Sequence, residues 1–222
     1  MIIKKLKRIK QFSQLFLNYK KLKRTTALAL ENAYLNEVGY IKSIEKGTPY
    51  SKYGEPIPWL TYSFIYFIQD RLKPEMSILE FGSGNSTLYW SKRLKKVESI
   101  EHDLTWFEKF TSKDLPQNVN ITLKKIQNDE YTIFSKSSKN VKFSVILIDG
   151  IKRVKCIKNN YKLLEDNGVM VLDDSERDYY LPGMDFLISK GFKKIDFWGL
   201  APGVLNHKCT SIFYKENNCL GL

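Results

Sequence analysis

The sequence predicts an α/β fold in which a mostly parallel β-sheet carries helices on both faces. Three observations lead to it. From Met76 onward, short continuous apolar runs alternate with helical patterns, as strands buried on both faces require. A glycine turn follows the first of these runs and opens a helix. The last two apolar runs are joined by a loop alone, so that pair should be antiparallel.

Each element has its own signal. Ile2, Leu6, Ile9, Phe12, Phe16 and Tyr19 recur at spacings of three and four, the period of one helical face, with lysines and arginines over much of the remainder. Residues 25–45 read as a second helix. Gly47-Thr48-Pro49 and Gly54-Glu55-Pro56-Ile57-Pro58 then mark a loop, and Pro58 suits the first turn of a helix continued by residues 59–72. Residues 77–81 form the first buried strand and 86–94 its helix. A strand at 97–101, a helix at 104–110 and a weaker strand at 119–123 follow. The strongest strand is 143–149. Its helix places Val154, Ile157, Tyr161 and Leu164 on one face and ends at Asn167-Gly168. Residues 169–173 form another strand, 182–191 a helix, and 192–198 and 210–214 the closing strands. The expected organisation is a basic helical extension and loop at 1–56 and an α/β domain at 57–222.

Composition excludes several classes. The chain has 222 residues, 43% of them hydrophobic, enough for a real core and too many for wholesale disorder. No apolar run reaches the ~18–20 residues of a membrane span, and the start lacks the pattern of a secretory signal. Cys156, Cys209 and Cys219 form no CxxC pair, which fits a reducing compartment. The expected location is the cytoplasm, with peripheral membrane contact as an additional reading. Of the net charge of +12, nine cations lie in residues 1–30, which carry no acid. A basic amphipathic helix there is read as packed on its own domain, lying on an anionic membrane surface, or touching RNA. Its aromatic residues sit on the apolar face instead of interleaving with charges, which disfavours nucleic acid.

The chemistry is concentrated at strand ends. Glu80-Phe81-Gly82-Ser83-Gly84-Asn85-Ser86-Thr87 is a strand–turn–helix whose glycines allow close approach of a ligand. Glu101 ends the next strand, where an acid accepts ribose hydroxyls. Dinucleotides and S-adenosylmethionine both suit that geometry. Thr87 stands where a third glycine would complete a dinucleotide fingerprint, and the acid Glu80 opposes a pyrophosphate while matching an ammonium. The charge pattern therefore favours the sulfonium donor.

Glu80-Phe81-Gly82-Ser83-Gly84 resembles motif I of class I S-adenosylmethionine-dependent methyltransferases, and Ser99-Ile100-Glu101-His102-Asp103 resembles their second motif. Ile148-Asp149-Gly150 is similar to motif IV, and Leu163 through Asp174 to the segment around the fifth strand. The resemblance covers residues 56–214 and points to an FkbM-like, small-molecule O-methyltransferase subgroup. It implies a seven-stranded Rossmann-like sheet in the order 3-2-1-4-5-7-6 with strand 7 antiparallel. It also implies that Glu80, Gly82, Ser83, Gly84, Asn85 and Ser86 hold the methionine part, Glu101 the ribose, and Asn128 or Asp129 the adenine. His102 is expected at the adenosine edge. Asp149-Gly150-Ile151-Lys152 stands where amino-group methyltransferases carry Asn/Asp-Pro-Pro-Tyr/Phe, which favours transfer to oxygen.

A hydroxyl acceptor must lose its proton, through a base or through a metal that lowers its pKa. Asp149 is the expected base and an additional cofactor contact. Asp149, Asp173 and Asp174 are also read as ligands for Mg²⁺ or another divalent cation, as catechol-type enzymes imply. The other reading is that Asp149 works alone while Asp173 and Asp174 cap a turn. Trp59 and Tyr62 are read either as substrate contacts or as core aromatics. Arg153 would bind an anionic substrate group or pair with an acid, and His207 would contact substrate or lie in a surface loop. The expected activity is O-methylation of a small-molecule or glycan acceptor, with a homodimer among the readings and no specific nucleic acid. The alternatives are an NAD-dependent oxidoreductase and a non-catalytic cofactor- or RNA-binding protein of the same fold.

Overall fold

The computed structural model describes residues 13–14, 16–112, 114–134 and 141–222. Most of the basic face expected over residues 1–24 therefore lies outside the described residues. Helix α1 (Tyr19–Ala27) is capped by Asn18, whose side-chain oxygen accepts the Lys21 N–H at 3.0 Å, and it buries no residue. The single helix expected over 25–45 is instead two short helices, α2 (Tyr34–Glu37) and α3 (Tyr40–Lys46). Gly39 separates them: its φ is +81°, and a Cβ there would lie 2.3 Å from the Tyr50 carbonyl oxygen. Helix α4 (Tyr62–Gln69) begins later than Pro58, because the chain first passes beneath the last interstrand loop, where the Tyr62 N–H donates to the Leu200 carbonyl at 2.9 Å.

The alternation then follows in order: β1 (Ser77–Phe81), α5 (Asn85–Ser91), β2 (Lys96–Glu101), α6 (Leu104–Thr111), β3 (Val119–Leu123), a 3₁₀ segment (Gln127–Thr132), β4 (Phe143–Ile148), α7 (Arg153–Asn160), β5 (Leu164–Asp173), α8 (Leu181–Ser189), β6 (Lys193–Gly199) and β7 (Lys208–Tyr214). The sheet order is β3-β2-β1-β4-β5-β7-β6, and β7 runs antiparallel to both β5 and β6, as expected. Strand β5 starts five residues before the expected 169. Leu164 pairs with Phe143 through an irregular register, and Gly168 leaves room for the Phe143 carbonyl, which a Cβ would meet at 2.9 Å.

Both faces of the sheet are covered, which explains the continuous apolar runs. Ile78, Leu147 and Val171 point to the face covered by Phe64, Ile68 and Trp90. Leu79, Ile148 and Leu172 point to the face covered by Ile157 and Leu187. The two-residue period of a strand then places Glu80, Asp149 and Asp173 on the first of these faces at the carboxyl edge of the sheet. Val38 and Tyr40 join the same cluster, so the chain just before the α/β domain packs onto it. No helix among the described residues is long and apolar enough to cross a membrane.

Candidate active site

Strands β1 and β4 lie where connections leave the sheet in opposite directions, the place where an open α/β sheet forms a crevice. The glycine turn after β1 forms one wall. Gly82 has φ +101°, and a Cβ on it would meet the Gly150 nitrogen at 3.1 Å, so the two strand-end loops press together there. The Ser83 N–H and hydroxyl donate to Glu101 Oε2 at 2.9 and 3.0 Å, while Trp106 Nε1 donates to the Ser83 carbonyl at 2.5 Å. Gly84 donates its N–H to Thr87 Oγ1 at 3.0 Å, which closes the first turn of α5. Beside this turn is a cavity of about 280 Å³. Gly82, Ser83, Gly84, Asn85 and Ser86 line it, and Asp149, Asp173 and Asp174 line it from the ends of β4 and β5.

Glu80 does not line this cavity. Its carboxylate is wholly buried beneath the turn and accepts bonds from Thr87 Oγ1 at 2.6 Å, Ser99 Oγ at 3.1 Å and Trp90 Nε1 at 3.3 Å. The expected direct contact with an ammonium is therefore corrected: Glu80 positions the turn from below. Burial pushes its pKa up to about 7, against those hydrogen bonds. Because the folded-state pKa lies above the ordinary 4.5, the folded chain binds more protons than the unfolded chain between the two values. Stability from this group falls as pH rises through about 4.5 to 7, by an amount on the order of 3 kcal/mol. Glu80→Gln removes the ionisation, and thermal melts from pH 5 to 8 should show a flatter pH dependence than wild type. Identical slopes would refute this account of the buried carboxylate.

Glu101 is likewise satisfied within the protein. Besides Ser83, it accepts the N–H groups of His102 and Asp103 at 2.7 and 2.9 Å, and it does not line the cavity. Its observed work is to fix the glycine turn against the loop after β2. His102 places Nδ1 3.0 Å from the same carboxylate, stacks edge-on against Tyr131, and also stays outside the cavity. Asp129 pairs with Lys152 at 2.9 Å and Lys155 at 2.6 Å and does not line the cavity.

The three aspartates do meet, but around a cation supplied by the chain. Arg153 is buried and reaches Asp149 at 3.2 Å, Asp174 at 3.2 Å and Asp173 at 3.9 Å. It also donates to the Gly150 carbonyl at 2.8 Å and the Asp149 carbonyl at 3.0 Å. Arg177 pairs with Asp174 at 2.8 Å, Lys208 Nζ contacts the same carboxylate, and Thr210 Oγ1 donates to Asp173 at 2.7 Å. Among the described residues no group of three or more His, Cys, Asp or Glu is arranged to hold a metal ion. The divalent-cation reading does not fit these side chains, because guanidinium and ammonium groups occupy the positions a metal would need. Arg153 is buried and paired with acids, and it does not line this cavity. Burial is the main cause that pushes Asp149 up to about 6 and Asp173 up to about 8; Arg153 pulls both back.

Trp59 lines the cavity and donates Nε1 to the Pro202 carbonyl at 2.8 Å. Tyr62 does not: it is buried in the core beside Tyr40 and Phe64, where desolvation raises its phenol. His207 is exposed and stacks on Trp198 at 4.8 Å, outside the cavity. Its neighbour Lys208 enters instead, 11% exposed, with its ammonium pulled down by burial. Lys208, Trp106 and the Thr48-Pro49 strap are lining residues that sequence reasoning missed. The strap is tied by Asn85 Nδ2, which donates to the Pro49 carbonyl at 2.5 Å. Only the period of β7 hinted at Lys208, since it shares a face with Thr210.

No protein-family model and no curated protein sequence matches the chain. Solved structures do. A precorrin-6y C5,15-methyltransferase from Geobacter metallireducens superposes with a TM-score of 0.55 at 14% identity, covering 69% of this chain and 87% of that one. The O-methyltransferase TomG of Streptomyces achromogenes, of tomaymycin synthesis and solved with S-adenosylmethionine, gives 0.52 at 15% identity, covering 67% and 77%. The chain thus has the Rossmann-like class I methyltransferase fold, with the strand order set out above. The likeness is one of fold and does not by itself assign the chain to a subgroup.

Proposed function

We propose that the chain is an S-adenosylmethionine-dependent methyltransferase acting on an oxygen of a small-molecule or glycan acceptor. The observation that carries this reading is the lining of the cavity: a glycine turn faces three carboxylates and a single ammonium. Arg153 and Arg177 offset these carboxylates from behind the wall and Lys208 is the one cation of the lining among the described residues, so the surface carries no excess of positive charge to draw a pyrophosphate. Gly84 faces Ser86 and Trp106 with no atom nearer than 3.9 Å to a Cβ position, so the backbone there leaves room for a ligand. Gly82, Ser83, Gly84, Asn85 and Ser86 would hold the donor's amino-acid part, with Trp106 against the nucleoside. Once bound, the donor supplies a methyl group on a sulfonium, a good leaving group.

The remaining chemistry belongs to the chain. Asp149 lies at the end of β4 with 19% of its side chain exposed, on the cavity wall, where it can accept a hydroxyl proton as the oxygen attacks. Its carboxyl, raised to about 6, is mostly ionised at neutral pH yet more basic than an ordinary aspartate. Arg153 keeps it oriented, and Trp59 with the Thr48-Pro49 strap limits access of water.

Calorimetry tests the donor assignment. S-adenosylhomocysteine should bind and NAD should not, and Gly84→Val should abolish binding by filling the space between Ser86 and Trp106. Tight NAD binding, or unchanged affinity in the variant, would refute the reading. Release of S-adenosylhomocysteine over a panel of phenols and glycans then identifies the acceptor class.

A further inference from the structure

A second concavity, about 590 Å³, opens on the other side of the Asp149-Gly150 segment. Gly150, Ile151, Lys152, Lys155 and Arg177 line it with the rings of Tyr179 and Tyr180. Among the described residues, no acidic side chain lines it. Arg153 contributes as well, with its guanidinium 5.1 Å from the centre of the Tyr180 ring. The size is that of a small-molecule site. It also adjoins the candidate active site: Asp149 and Asp174 line one cavity, while Gly150 and Arg177 line the other.

We infer that this groove binds a soluble phosphate monoester carried on a ring, and that the phosphate anchors the methyl acceptor beside Asp149. The inference rests on the methyltransferase reading for its link to catalysis, but not for the binding itself. Three features point to that ligand. Tyr179 is 62% exposed and meets Tyr180 edge-on at 4.4 Å, so much of its ring is open to solvent. Arg177 donates to Tyr179 Oη at 2.9 Å, which holds a guanidinium at the rim of that ring. Lys152 and Lys155 are 34% and 58% exposed, and both are paired with the surface carboxylate of Asp129. Exposed pairs of this kind contribute little, so Lys155 can turn to a phosphate at small cost, and Lys152 can give up Asp129 while its ammonium keeps the Ile126 carbonyl at 2.8 Å. A dianionic phosphate would then meet two lysines and the edge of an arginine that also holds Asp174, while its ring covers Tyr179.

Phenyl phosphate and phenol, titrated calorimetrically into the full chain, test this. Phenyl phosphate should bind at least tenfold more tightly than phenol. A Lys152→Ala/Lys155→Ala variant should lose tenfold or more of that affinity and keep its affinity for S-adenosylhomocysteine within twofold. Tyr179→Ala should weaken phenyl phosphate and inorganic phosphate to different extents, the former more. Equal affinity for phenol and phenyl phosphate, or undiminished binding in the lysine variant, overturns the inference. Binding to vesicles containing phosphatidic acid without binding to soluble phenyl phosphate overturns it too, since the cations would then serve a lipid surface. Failure of S-adenosylhomocysteine to bind strikes the donor assignment alone, because phenyl phosphate is measured without it.

Discussion

Arg153→Met is expected to destabilise the folded chain by about 3–5 kcal/mol, the cost of leaving buried carboxylates without their counter-charge. For a chain of this length that corresponds to a fall in melting temperature of roughly 6–20 °C. The reason is geometric. One guanidinium, 7% exposed, lies within 4 Å of Asp149, Asp173 and Asp174 and also bonds three backbone carbonyls at the ends of β4 and β5. Methionine fills much of the volume but satisfies none of these acceptors. The deficit should depend on pH. Without Arg153 the aspartates rise further above their ordinary 3.8, so the folded variant binds more protons than its unfolded chain as pH increases from there. Its stability therefore falls toward high pH, and the gap from wild type should be larger at pH 8 than at pH 5. Chemical denaturation at both values checks this; a gap below 1 kcal/mol at pH 8 would show that Lys208 and Arg177 suffice.

Asp149→Asn is expected to lower methyl transfer by about 10²–10⁴-fold, the usual contribution of a positioned general base. The amide keeps the size of the side chain and can still accept from Arg153, so affinity for S-adenosylhomocysteine should stay within a few-fold. In the wild-type chain the rate should rise as pH increases through about 6, because the deprotonated carboxylate is the active form. The measurement is release of S-adenosylhomocysteine with whichever acceptor of the panel turns over. Full turnover in the variant would move the proton acceptor elsewhere, and Asp173 on the adjacent strand would be the next residue to test.

Much of the scaffold is legible without coordinates. The strand pattern at 77–81 coincides with β1 because a strand buried at every position reads as a continuous run, while 119–123 matches the edge strand β3, where only Ile121 is buried, through its β-branched residues. The glycine turn was readable because Gly82 and Gly84 sit at the junction of two periods. Helix boundaries near the site were less so. The break at Gly39 depends on Tyr50, and the delayed start of α4 depends on Leu200, both of which become neighbours only after folding.

What the sequence determined by itself was the sheet, its covering helices, and the delivery of acids to the carboxyl edge at residues 80, 101, 149, 173 and 174. Those follow from local periodicity and strand length. Where each charge ends depends on contacts that form on folding. Glu80 and Glu101 lie inside hydrogen-bond networks, Asp129 turns to two lysines, and Arg153 takes the place a metal would need. Lys208 enters the cavity while His207 remains outside it. The physical reason is that a buried carboxylate must find donors or cations wherever the packed chain supplies them. Those partners come from sequence separations of up to 37 residues, as between Asp173 and Thr210, which no local pattern encodes.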